Sequence, residues 1–224
     1  MKKRHELKYM INRGDYFILK QRLPKLFSYD SNAEEKGGYH IRSIYFETPD
    51  DKALREKIYG VDRREKFRLR MYNLNTEYIR LEKKSKEKGL SRKQNARITK
   101  LQVEQILQGN LEWMKGSESD LILELYSKMN GQLLRPKTIV DYIREPFVYE
   151  PGNIRLTLDS EIRTGLLSID FLNPDLTTIQ TFETYALLEV KFDAYLPELI
   201  KHAIQLVGRE PTAFSKYAIC RKYG

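Results

Sequence analysis

The chain reads as an α+β protein, a charged antiparallel sheet with helices outside it, and two observations point there. At least seven segments alternate apolar and charged residues with the period of a strand, and four others carry apolar residues at helical spacing. With 224 residues and a mass of 26.6 kDa, the chain suits one domain spanning 1–224 with a sizeable core. The 41% hydrophobic and 11% aromatic content excludes a disordered chain.

The strands come first. Arg4, Glu6 and Lys8 share one parity near the N-terminus, with His5, Leu7 and Tyr9 on the other. Residues 39–46 read Y-H-I-R-S-I-Y-F and carry Arg42. Residues 66–72 read K-F-R-L-R-M-Y, so Lys66, Arg68 and Arg70 face away from Phe67, Leu69 and Met71. Residues 78–86 repeat the pattern, with Arg80, Glu82, Lys84 and Lys86 opposed to Ile79 and Leu81. The polar stretch Asn73-Leu74-Asn75-Thr76 between them predicts a hairpin. Residues 138–144, 154–159 and 185–192 complete the set, the last two with Arg155, Thr157 and Asp159 and with Glu189 and Lys191 on single faces.

Helices are predicted over Asn12 to Leu26, Thr99 to Gly109, Asp120 to Asn130 and Leu196 to Val207, with Asn12 and Thr99 as caps and Gly109 and Gly208 as stops. Residues 28–38 read as a loop. No internal repeat or interdomain linker is evident.

Charge then narrows the function. The formal net charge of +9 is uneven: residues 1–112 hold 27 basic and 16 acidic side chains, while residues 113–224 hold 13 and 15. Within 63–100 there are 14 basic and 4 acidic residues. Pairing the 66–72 and 78–86 strands sets cations beside cations, which is unfavourable unless an anion neutralises them. An open sheet facing water fits this pattern, and so does a closed barrel lined with charge. Base and carboxylate on the same parity, as in Glu82/Lys84, Arg155/Asp159 and Glu189/Lys191, favour the barrel. Such mixing suits a phosphate held together with a divalent metal. Interleaved carboxylates also repel a nucleic-acid backbone, so no nucleic-acid partner is expected.

Several classes are excluded. There is no G-x-x-x-x-G-K-[ST], G-x-G-x-x-G, H-E-x-x-H or C-x-x-C motif. His5, His40 and His202 are scattered and read as structural, and the lone Cys220 reads as a packed thiol. A single cysteine, no apolar run near the roughly 20 residues a bilayer needs and no signal-peptide core predict a cytoplasmic protein.

Seven of these segments, in order, resemble the VTC domain, the polyphosphate-polymerase module of the vacuolar transporter chaperone family within the triphosphate tunnel metalloenzymes. They are R-H-E-L-K-Y at 4–9, I-R-S-I-Y-F-E-T at 41–48, K-F-R-L-R-M-Y at 66–72, I-R-L-E-K-K at 79–84, I-R-L-T-L-D at 154–159, L-L-E-V-K-F at 187–192 and F-S-K-Y at 214–217. The resemblance implies an antiparallel closed β-barrel of about eight strands, a tunnel for a triphosphate or polyphosphate, with helices packed outside. It implies transfer of the γ-phosphoryl group of ATP or another triphosphate to a polyphosphate chain. Hydrolysis and binding without turnover are the alternatives. Carried over by motif, Lys8, Arg68, Arg70, Lys84, Arg155 and Lys216 contact phosphates and Glu189 holds Mn²⁺ or Mg²⁺. Arg42 is placed in the tunnel, either Lys93 or Arg97 adds a phosphate ligand, and Arg4 and Lys191 join the substrate-binding set. Glu6 and Glu82 are further metal candidates, although each can instead orient a neighbouring base. The first strand reads R-x-E-x-K rather than the E-x-E-x-K of the hydrolytic CYTH branch, so Arg4 stands where that signature has a metal-binding carboxylate. Neither an SPX domain nor a membrane segment is expected with this domain. A membrane partner, if there is one, is expected to be a separate protein.

Overall fold

The computed structural model describes residues 4–33, 37–88, 90–181 and 185–223. In chain order the elements are β1 (His5–Ile11), α1 (Arg13–Leu26), β2 (Ser28–Tyr29), β3 (Tyr39–Glu47), α2 (Lys52–Ile58), β4 (Arg64–Tyr72), β5 (Ile79–Glu87), β6 (Leu90–Ile98), α3 (Lys100–Gln108), α4 (Asp120–Gly131), β7 (Arg135–Tyr149), β8 (Ile154–Thr164), β9 (Ile179–Gln180), β10 (Ala186–Phe192), α5 (Glu198–Ile204) and α6 (Lys216–Cys220). The α+β class and the antiparallel pairing hold.

The chain divides into two compact units, each assembled from separated segments. The first comprises residues 1–40, 142–162 and 180–215, and the second 41–141, 163–179 and 216–224. In the first unit the hydrogen-bonded order is β1-β10-β8-β7, with β2 also on β7. Its core gathers Leu19 and Leu23 of α1, Leu156 and Leu158 of β8, Leu188 and Val190 of β10 and Ile200 of α5. In the second unit the order is β7-β3-β4-β5-β6. Its core gathers Phe67, Leu69 and Met71 of β4, Ile79 and Leu81 of β5, and apolar residues of α3 and α4. The strand parity read from 66–72 is therefore the packing parity, and burying one face commits the other to charge.

Local chemistry explains the boundaries. Asn12 and Asp15 form a reciprocal capping box at the start of α1, with Asn12 Oδ1 accepting from the Asp15 N–H at 2.8 Å. Thr99 caps α3 in the same way, and Gly109 ends it at φ 81°, a left-handed conformation that glycine adopts without strain. The 73–76 turn closes the β4–β5 hairpin with Asn73 and Leu74 at φ 49° and 55°, matching a turn whose twist suits antiparallel strands. Several elements differ from expectation. β6 is an additional strand whose side chains are mostly exposed, so it lacks the alternation that marks a half-buried strand. α2 and α6 are short helices in regions where no helix was predicted. The segment expected to be a loop after α1 contributes β2. Among the described residues no helix is long and apolar enough to cross a membrane.

Candidate functional site

The hairpin register of the second unit builds a cationic face. Across β4, β5 and β6 the register aligns Lys66 with Lys84 and Lys84 with Lys93, and aligns Arg70 with Arg80 and Arg80 with Arg97. Between these two all-cation rows lies the row Arg68–Glu82–Asn95. Buried Glu82 holds the centre of the face. It accepts from Arg68 at Nε (2.8 Å) and Nη2 (2.5 Å), and it lies 2.5 Å from Lys93 Nζ and 3.9 Å from Arg70 Nη1. Burial alone would raise the Glu82 carboxyl, but the charges of Arg68, Arg70 and Lys93 outweigh it and hold the group well below the usual carboxylate range.

Tyr45 of β3 extends the central row. It pairs with Arg68 in register, and its buried hydroxyl accepts from Arg68 Nη1 at 2.7 Å. Lys66 and Arg68 both lie over its ring. Burial favours the neutral phenol, yet the charges of Arg68, Lys66 and Arg70 prevail and lower it to about 7. Its other neighbour is Tyr217, stacked at 4.9 Å, whose hydroxyl donates to Glu47. Lys216, one residue earlier, opens α6.

The first unit also interleaves charge, but in pairs. Its register aligns Glu6 with Lys191 and Lys191 with Arg155, and in the adjacent row Lys8 with Glu189 and Glu189 with Thr157. Lys8 Nζ lies 3.0 Å from Glu6 Oε1, and Lys191 pairs with Glu189. Burial pulls the Lys8 ammonium down, but Glu6, Glu189 and Asp159 together raise it above its ordinary value. Arg144 grips fully buried Asp159 through two hydrogen bonds of 2.7 Å. Arg155 pairs with Asp30 at 2.9 Å and donates to the Tyr39 hydroxyl at 3.3 Å. Two polar atoms on the same face of β8, Arg155 Nε and Thr157 Oγ1, are buried without a hydrogen-bond partner.

These placements sort the expected site residues. Arg68, Arg70, Lys84 and Lys93 share one face in the second unit, and Lys8, Arg155, Lys191, Glu6 and Glu189 share one in the first. Lys93 reaches Glu82, whereas Arg97 donates to the Glu77 carbonyl at 3.2 Å. Arg42 is engaged elsewhere. It is 2% exposed, donates from Nε and Nη2 to Asp141 and from Nη1 to the Asn173 carbonyl, and so acts as an internal clamp. Arg4 lies at the strand end, donating to the Asn153 carbonyl at 2.5 Å beside Asp193. Cys220 is buried with its thiol pushed up to about 12, as a packed side chain should be. Sequence reasoning missed Tyr45, Arg144 and Arg80 as site residues. Arg80 lay on the flagged parity; the others needed partners distant in sequence.

The donor chemistry tests a metal. Hard oxygen donors suit Mg²⁺ or Mn²⁺. Glu189 and Glu6 offer such oxygens, each paired in this structure with a lysine, Lys191 and Lys8. At Glu82 an ion would have to displace Arg68 and Lys93. Among the described residues no group of three or more His, Cys, Asp or Glu side chains is placed to hold a metal ion.

The family model for the VTC domain matches residues 3–223. The chain belongs to the VTC domain family. No curated protein sequence matches it. Its fold is shared with HpAC1 from Hippeastrum, a protein named for adenylyl cyclase and reported with a dominant triphosphatase activity (15% identity, TM-score 0.58, covering 97% of this chain and 94% of that one). It is shared with a Bacillus halodurans protein named for adenylate cyclase (15%, 0.54, 93% and 92%) and with PH1012 from Pyrococcus horikoshii (13%, 0.51, 97% and 99%). This VTC domain thus shares with these proteins an antiparallel sheet with helices packed around it, the α+β class expected from the sequence.

Proposed function

We propose that this VTC domain is a divalent-metal-dependent phosphotransferase that moves the γ-phosphoryl group of ATP or another triphosphate onto a polyphosphate chain, releasing the diphosphate. The observation that carries this reading is the β4–β6 face, where two rows of three cations flank one buried carboxylate. Such a face is electrostatically unfavourable alone and is stabilised by a polyanion. Phosphoryl transfer needs positioning and charge neutralisation more than a covalent catalyst. Arg68 and Arg70 supply forked donors suited to phosphate oxygens, and Lys84 and Lys93 supply point charges. Glu82 orients Arg68. Lys8, Arg155 and Lys191 of the first unit and Lys216 of the second are proposed as further phosphate ligands from their motifs. Glu189 and Glu6 are the residues to hold Mn²⁺ or Mg²⁺, which when bound would neutralise phosphate oxygens. Arg42 and Arg4 are assigned to the scaffold.

A hydrolytic reading follows if water replaces the polyphosphate acceptor, and the triphosphatase activity reported for HpAC1 supports keeping it. One assay separates the readings. The purified protein is incubated with Mn²⁺ and ATP, polyphosphate is followed by a dye and free phosphate by colorimetry. Polyphosphate accumulating is the expected result, and phosphate alone favours hydrolysis. Neither product forming would sink the enzyme reading and leave passive binding of a triphosphate.

A further inference from the structure

One end of the cationic face carries an exposed aromatic ring beside its cations. Tyr78 immediately precedes β5, and the residue is 39% exposed. The Arg80 guanidinium lies over that ring, 4.7 Å from its centroid. Arg80 is flanked in register by Arg70 and Arg97, so like charge presses on it from both neighbouring strands. The segment beneath the ring is pinned. The Glu77 N–H donates to Asn75 Oδ1 at 2.8 Å, and the Glu77 carbonyl accepts from Arg97 at 3.2 Å. A fixed aromatic ring and a guanidinium plane are the two surfaces on which nucleobases stack.

Distance along the strand fits the same ligand. Tyr78 stands two residues from Arg80 and four from Glu82, or about 7 Å and about 13 Å at the usual rise of a strand. That is comparable to the reach from the base to the outer phosphates of an extended nucleoside triphosphate. We infer that Tyr78 and Arg80 form a nucleobase platform, so that the cationic face takes a nucleoside triphosphate in preference to inorganic tripolyphosphate. The inference rests on reading this face as a triphosphate site, and it adds the class of triphosphate and the residues that select it. Stacking tolerates any base but favours the larger purines. Selection between ATP and GTP is therefore weak, and both are held better than CTP or UTP.

Calorimetric titration tests this with two probes, the β,γ-imido analogue of ATP and inorganic tripolyphosphate, on the wild-type protein and on Tyr78→Ala and Tyr78→Phe. Tyr78→Ala is expected to weaken the nucleotide analogue about tenfold, at the lower end of what base–aromatic stacking contributes. Tripolyphosphate affinity stays unchanged in the same variant, which also reports that it is folded. Tyr78→Phe keeps the nucleotide affinity, because the ring and not the hydroxyl stacks. Unchanged nucleotide affinity in Tyr78→Ala overturns the platform while leaving the triphosphate site intact. An equal loss for both probes also overturns it, since Tyr78 would then order the cations and not the base. Wild-type protein binding neither probe removes the triphosphate reading itself. An oligonucleotide that displaces tripolyphosphate in a strongly salt-dependent way overturns the platform in favour of a nucleic-acid surface.

Discussion

In the first unit each base of the candidate site meets its own acid, whereas the β4–β6 face of the second unit sets a row of bases around one acid. Lys8 has Glu6, Lys191 has Glu189, Arg144 has Asp159 and Arg155 has Asp30. On the even positions of β4 and β5, Glu82 is the one carboxylate among the described residues. The same strand grammar therefore yields two electrostatic outcomes. Paired charges are already compensated within the protein. A face whose cations outnumber its acids has lower free energy when a polyanion is present. The second unit is accordingly the better candidate for holding a phosphate chain.

The largest effects should come from deleting the buried acid in each unit. Asp159→Asn removes the buried acid that Arg144 grips, and Glu82→Gln removes the buried acid shared by Arg68, Arg70 and Lys93. Breaking a buried pair typically costs about 3–5 kcal/mol, so both variants should melt well below the wild type. The comparison predicts that they part company with ligand. Tripolyphosphate should restore much of the Glu82→Gln loss, because it supplies the missing negative charge, and should restore little for Asp159→Asn. Equal rescue of both, measured by thermal melting, would erase the distinction. The sign with pH follows. The folded Glu82 carboxyl lies below its ordinary value, so its contribution is present above the normal glutamate range. That contribution is lost as the pH falls through the depressed folded value.

Next in size is the loss of a forked donor. Arg70→Ala should reduce turnover about 10²–10³-fold, the usual effect of removing one preorganised donor at developing charge. Arg70→Lys should recover part of it, since a point charge cannot replace the fork. An Arg97→Ala variant should change turnover far less, because that side chain is held by the Glu77 carbonyl. Steady-state kinetics in which Arg97→Ala is the more damaging would invert the assignment made from the hydrogen bonds.

A smaller effect is expected from single substitutions among the proposed metal ligands. EDTA should abolish turnover, and Glu189→Gln should raise the Mn²⁺ concentration needed for half-maximal activity by roughly 10–100-fold, the range for weakening a metal's ligand sphere. Thr157→Val, which removes the unsatisfied hydroxyl, should shift the same curve in the same direction but less. A Mn²⁺ requirement unmoved by Glu189→Gln would take the metal away from the first unit.

What could be read from sequence was local periodicity, and the two units show its reach. Phe67, Leu69 and Met71 alternate with Lys66, Arg68 and Arg70 because one face is buried, so the cationic face of β4 and β5 was visible in the residues themselves. β6 was invisible as a strand, because exposed polar and charged side chains at both parities leave no alternation to detect. The clamp formed by Arg42 and Asp141 joins residues 99 apart, and no pattern around Arg42 distinguishes a clamp from a phosphate ligand. Arg144 and Asp159 posed the same difficulty. Their register across β7 and β8 is a property of the fold, not of either segment. Glu82 was legible as a carboxylate among bases, but only its distances to Arg68 and Lys93 separate an orienting acid from a metal ligand.

The finest test of the contrast lies in Tyr45, whose phenol Arg68, Lys66 and Arg70 lower to about 7, whereas burial raises the Tyr9 and Tyr16 phenols of the first unit. As the pH rises through that value the phenol ionises and places a negative charge beside Lys66, Arg68 and Arg70. A bound polyanion competes for those same cations, so binding should weaken as the pH rises, and by linkage a bound polyanion should raise the Tyr45 value. The polyanion's own ionisation strengthens binding over the same range, which makes the informative quantity the ratio between Tyr45→Phe and wild type. Between about pH 6 and about pH 8.5 that ratio of tripolyphosphate affinities should rise about three- to tenfold, the effect of up to one unit of pKa coupling. At the acidic end the two proteins should bind alike, since phenylalanine preserves the ring between Lys66 and Tyr217 and loses only the acceptor for Arg68. A ratio that stays flat with pH, with both proteins folded, would mean that Tyr45 keeps its proton and that the cations of this face are already neutralised without a ligand. The electrostatic difference between the two units would then disappear.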